Sequence, residues 1–175
     1  MRLATILAAA ALALSVPAAA QQTPNRGQPT SEAAQMLTVS ATRPVAMDNR
    51  KLRVMLRLSS TSGATVPYAV AATSYSKVKG WSVFTENSTT CEVSGGGLTN
   101  VGYDIETRMN ELDPSRWTVE GNRPSIVTAD FYCDTAVSPD EMITIQTRFF
   151  VRIGTRWRQA DYVFENIQVG GRRTR

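Results

Sequence analysis

Residues 51–58 alternate without a break. Leu52, Val54, Leu56 and Leu58 are aliphatic, and Lys51, Arg53, Met55 and Arg57 stand between or before them. A period of two puts the four aliphatic residues on one face of an extended strand and three cations on the other. A helix would scatter the same residues around its axis. The pattern recurs. Leu37, Val39 and Ala41 alternate with Thr38, Ser40 and Thr42, and Val127, Ala129, Phe131 and Cys133 share one parity. Ile143, Ile145, Thr147, Phe149, Val151 and Ile153 line one face of a longer run. Gly154-Thr155 then fits a two-residue type II′ hairpin turn, whose first position takes a positive φ and favours glycine. On the returning strand Trp157 has the opposite parity to Tyr162 and Phe164. A β-bulge near Gln159-Ala160 would bring the three to one side; otherwise both faces are partly covered.

Turn-forming clusters at residues 59–64, 113–115 and 121–124 separate shorter extended runs at 66–76, 81–85 and 89–93. Gly95-Gly96-Gly97 reads as a stop or a bulge. Only residues 104–112 leave room for a short helix. Eight or nine short strands with no long 3.6-residue period predict an all-β fold. The alternating aliphatic faces suit a two-sheet antiparallel sandwich over residues 36–169.

The flanks differ from this core. Residues 1–20 carry Arg2, an apolar run from position 4 to 16, Pro17 and then Ala18-Ala19-Ala20, the pattern of a secretory signal peptide. The run is too short to span a bilayer, which takes about 20 apolar residues. An uncleaved anchor or a buried helix is the alternative. The first cysteine after this run is Cys91, so the lipoprotein cleavage pattern is absent, and no later segment is apolar enough to span. Residues 21–35 offer little to bury and read as a disordered polar leader. Residues 170–175 form a basic tail with Arg172, Arg173 and Arg175. These three account for the excess of basic over acidic residues once the signal is removed, so the body is neutral. Nucleic acid is therefore not an expected partner. The expected destination is the periplasm or the exterior of a bacterium.

Composition narrows the chemistry further. The 175 residues include no histidine and two cysteines. Histidine-dependent nucleophilic catalysis and His-ligated zinc are excluded, and two cysteines cannot complete a four-cysteine site. In an exported chain the pair Cys91 and Cys133 reads as a structural disulfide. A redox pair would favour Cys-x-x-Cys, which is absent.

Two cysteines on inward-facing strands, Trp117 between them and a closing aromatic hairpin resemble the small exported bacterial immunoglobulin-like modules. The resemblance spans most of residues 36–169. It implies an immunoglobulin-like two-sheet sandwich in the envelope, its two facing layers pinned once by the disulfide, and assigns no functional residue. The chain departs from the immunoglobulin pattern in setting its Trp far from the first cysteine, and in placing Phe131 where a Tyr would stand two residues before the second.

Several local patterns invite function. Residues 74–77 and 76–79 match S-x-x-K, but the S-D-N and K-T-G partners of the penicillin-recognising enzymes are missing. Asn87-Ser88-Thr89 matches a glycosylation sequon, which means little in a bacterial setting. Asp104 and Glu106 would share a strand face, about 7 Å apart, as a conceivable hydrolytic pair. Asp134, Asp140 and Glu141 flank a loop that offers oxygen ligands for calcium. Solvated loop acids explain both sets, so no cofactor, metal or catalytic residue is expected. Trp81, Trp117 and Trp157 form a candidate aromatic platform for sugar rings, or else fill the core. Lys51, Arg53, Arg57, Arg148, Arg152, Arg156 and Arg158 form a basic binding strip if their strands are neighbours; such charges also guard sheet edges against self-pairing. The expectation is a non-enzymatic, exported binding or interaction module. Its partner would be an envelope protein, a glycan or an anionic surface. A carbohydrate-binding module and a carboxylate-based hydrolase are the alternatives.

Overall fold

The computed structural model describes residues 25–70, 81–87, 89–96, 118–121 and 123–171. The signal segment, the S-x-x-K matches, Trp117, the Asp104/Glu106 pair and the three terminal arginines lie outside them. The described body is all-β. In chain order the strands are β1 (Asn25–Arg26), β2 (Gln28–Pro29), β3 (Leu37–Ala41), β4 (Val45–Ala46), β5 (Lys51–Ser60), β6 (Val66–Val70), β7 (Trp81–Thr85), β8 (Thr90–Gly96), β9 (Thr118–Val119), β10 (Ser125–Cys133), β11 (Met142–Ile153) and β12 (Arg156–Gln168). A single 3-10 turn covers Glu32–Met36.

The strands form one continuous sheet in the order β1-β3-β5-β10-β8-β7-β11-β12-β2, with β4 on β5 and β6 on β11. Only Gly27 separates β1 from β2. Asn25 and Arg26 pair with β3, while Gln28 and Pro29 pair with β12. One short segment thus bonds to both ends of the path, and the sheet rolls nearly into a barrel. Counted with β1 and β2 as one stave, the path has eight, about the number at which side chains alone fill a barrel's interior.

The alternating residues supply that filling. Leu52, Val54, Leu56 and Leu58 of β5 are buried, as are Val127, Ala129, Phe131 and Cys133 of β10. Phe149 sits at the centre of an aromatic group, with its ring 5.3 Å from Trp81 and 5.9 Å from Tyr162. Trp81 also stacks on Phe131. Among the described residues no charged side chain is buried. Gly154 has φ +61, while Thr155 stays out of the positive region, as a type II′ turn requires.

Four expectations are corrected. First, residues 25–35 are not a disordered leader. They close the seam, and Ala33 and Ala34 are buried. The hydroxyl of Tyr162 donates to the carbonyl of Ala34 at 2.6 Å and also lies 3.2 Å from that of Leu37. The segment looked empty because its buried residues are small and its contacts are made by backbone. Second, the disulfide does not pin two facing layers. Cys91 and Cys133 are directly opposite on the neighbouring strands β8 and β10. The Cys133 amide donates instead to Arg50 on the other side. The cysteines therefore form the narrow, non-hydrogen-bonded kind of pair, where side chains come closest. Third, the register shift in the last hairpin lies between Ile143 and Ile145, near Asn166 with φ 56, and not at Gln159-Ala160. Ala160, Tyr162 and Phe164 face inward, and Trp157 faces out opposite Arg152. Fourth, Gly170 is part of the body: its amide donates to the carbonyl of Pro44 at 2.7 Å.

Candidate functional site: the hairpin end of the barrel

The β11–β12 hairpin carries Arg152, Arg156 and Arg158 around its turn. Arg152 faces outward against Trp157, and Arg156 stands opposite the exposed Ile153. Arg158 pairs with Val151 and so has inward parity, but it lies near the rim and is exposed. There it lines a groove of about 860 Å³ with Ser31, with Glu32, Gln35 and Met36 of the 3-10 turn, and with Thr61 and Ser62 of the β5–β6 turn. Among the described residues Arg152, Arg156 and Arg158 form no ion pair. Glu32 shares the groove and is likewise unpaired.

The other members of the expected basic strip lie elsewhere. β5 and β11 are separated by β10, β8 and β7, so Lys51, Arg53 and Arg57 do not join the hairpin arginines in one strip. Alternation revealed which face each residue takes and nothing of strand order. Arg53 is also neutralised: its guanidinium makes two hydrogen bonds to Asp130 across the strand pair, at 2.7 and 2.8 Å. That hydrogen bond holds the Asp130 carboxyl below the usual carboxylate range, with the charges of Arg53 and Lys51 acting in the same direction and partial burial opposing it. Arg148 makes the corresponding pair with Asp161, at 2.8 and 3.2 Å. Lys51 lies 3.9 Å from Asp48, while Arg57 has no ion pair among the described residues.

The three-Trp platform is not assembled. Trp81 is in the core, its indole N–H donating to the carbonyl of Arg148 at 3.0 Å. Trp157 is half-buried on the outer wall. The loop acids are engaged separately. Asp140 accepts from Arg43 at 2.7 Å and from Gln168, and Glu141 accepts from the amide of Ser138. Among the described residues no group of three potential metal ligands comes together, so the calcium reading of Asp134, Asp140 and Glu141 has no geometric support.

The residues that sequence reasoning missed are Ser31, Glu32 and Gln35, which sat in the supposed leader, and Phe150 and Gln159 on the outer face of the hairpin. The last two are half-legible: Phe150 has the parity opposite to Ile145 and Phe149 on β11, and Gln159 the parity opposite to Tyr162 and Phe164 on β12. Compared with known proteins, the chain matches no family model, no curated protein and no solved structure.

Proposed function

We propose that this chain is an exported, non-enzymatic β-domain that binds an anionic component of the bacterial envelope through its hairpin end. One observation carries the reading: Arg152, Arg156 and Arg158 gather around one turn, beside a groove, with no carboxylate paired to any of them among the described residues. Three guanidinium groups around one turn outweigh the Glu32 carboxylate in the groove and raise a local positive potential that attracts anions. The disulfide suits an oxidising compartment, and the signal-like residues 1–20 suit export to the periplasm or beyond. The interior is filled by apolar side chains, so binding falls to the wall and the ends. We also read the rolled sheet as flattened in the immunoglobulin manner, with β3, β5, β10 and β8 facing β7, β11 and β12. The stacking of Trp81 from β7 on Phe131 from β10 supports that layering.

The test is binding to lipopolysaccharide and to anionic phospholipid vesicles. Affinity falls steeply as ionic strength rises from about 0.05 M to about 0.5 M, and the Arg156→Glu/Arg158→Glu variant loses binding at every salt concentration. Salt-independent binding, or full binding by the variant, overturns the proposal.

A further inference from the structure

The outer face of β11 and β12 is more than a backing to the core. Paired positions share a face, so the register orders its residues. Phe84 of β7 stands opposite Thr144, Ser82 opposite Gln146, and Gln146 opposite Val163. Arg148 follows with Asp161, Phe150 with Gln159 and Arg152 with Trp157. The row from Phe84 to Trp157 runs from Thr144 to Arg152 of β11, roughly 27 Å at strand rise. Phe84, Phe150 and Trp157 are all half-buried on this solvent side. The interior is already filled with aromatic and aliphatic side chains, so core packing does not require these three outside it.

Between the aromatics the row is largely polar. Arg148 and Asp161 are locked together, each with about a quarter of its side chain exposed. The amide of Gln159 donates to the same carboxylate. A depression of about 400 Å³ opens here, lined by Ser82, Phe84, Gln146, Arg148, Asp161 and Val163. Fixed planar donors and acceptors flanked by apolar rings are what a ring-shaped, hydroxyl-rich ligand requires: faces to stack on and paired groups for its hydroxyls. At one end of the row Arg152, opposite Trp157, adds positive charge.

We propose that this row is a track for an acidic polysaccharide. Sugar rings lie against Trp157, Phe150 and Phe84, their hydroxyls meet Gln146, Gln159 and the Arg148–Asp161 pair, and a carboxylate meets Arg152. The proposal names the ligand of the function above and rests on that reading for its charge component alone; the aromatic and polar row stands by itself.

The test uses oligogalacturonate of about six residues, long enough to cover a row of this length, with its fully methyl-esterified form as the neutral counterpart. The full-length exported protein binds the acid form, and esterification weakens binding at least tenfold. Trp157→Ala and Phe150→Ala each weaken it about tenfold, as the loss of a half-buried aromatic face predicts. Neither changes binding to anionic phospholipid vesicles. Should either variant fold poorly, amide chemical-shift changes in the wild type decide the matter: they must follow residues 146–152 and 157–163. Absent oligogalacturonate binding, equal binding of the ester, or shifts confined to the Arg156/Arg158 turn overturn the track. The last result would leave the anionic-surface function standing, whereas vesicle binding that ignores salt and the arginine variant would remove that function and leave the track to be judged by its rings.

Discussion

Tyr162 joins the core to the seam. Its ring packs on Phe149, and its hydroxyl meets the backbone carbonyls of Ala34 in the closing segment and Leu37 at the start of β3. Burial pushes its phenol well above the ordinary value near 10. A group whose folded-state pKa is raised contributes stability that is whole below its unfolded pKa and drains as the pH climbs toward the folded one. Tyr162→Phe therefore has two signatures in urea unfolding. Near pH 7 the variant is less stable by about 1–2 kcal/mol, the usual cost of removing one partner from a buried hydrogen bond. Above pH about 10 the gap narrows, because only the wild type must keep a phenol protonated to stay folded. A gap constant to pH 11 would show that the hydroxyl is solvated. The alternation identified Tyr162 as sharing a face with Phe164. It said nothing of its hydroxyl partners, which are main-chain carbonyls at Ala34 and Leu37 and leave no mark on side-chain patterning.

Among the elements, legibility follows what each face touches. β5, β10 and β11 present one face to a full interior and the other to water, so polarity alternates and their inward residues could be named in advance. The β11–β12 turn was legible because a two-residue connection demands a positive φ, and only Gly154 supplies it cheaply. The β1–β2 segment has no such signal: two residues bond on each side and no large side chain is buried. Its constraint is instead one of space. A Cβ on Gly27 would lie 2.6 Å from the ring of Phe164, which is itself in the core. Gly27→Ala thus has to displace either the ring or the seam, and overpacking of this kind costs about 1–3 kcal/mol. If the seam yields, the edges of β3 and β12 lose their cover and become available for pairing between molecules. Gly27→Ala lowers the thermal midpoint, and light scattering detects dimers or larger species near the transition. An unchanged midpoint with a monomeric profile would mean that the ring swings aside freely and the close approach has no structural weight.

At the scale of the molecule, strand order was beyond sequence reasoning because it is set by non-local pairing. β5 meets β10 across more than sixty residues of chain, and no local pattern records that choice. The same gap misplaced the basic strip and turned an expected clamp between layers into a bridge between neighbours. The disulfide's contribution survives that correction. In the chain-entropy account the stabilisation depends on how much unfolded chain the bond restricts, not on which strands it joins. Cys91 and Cys133 are 42 positions apart, and closing a loop of that size is worth about 4 kcal/mol. The location of the bridge adds a separate consequence. Because β8 and β10 are already paired next to the cysteines, through Glu92–Tyr132 and Val93–Phe131, and β10 is held along its other edge by β5, the native register does not depend on the bond. The Cys91→Ala/Cys133→Ala protein consequently folds to the same sheet, with unchanged near-ultraviolet circular dichroism at low temperature, yet unfolds at a urea midpoint lower by about 4 kcal/mol divided by its m-value. A protein that lost its native spectrum altogether would show the bond to be a condition of folding. One that kept its midpoint would show the unfolded chain to be held compact by other means.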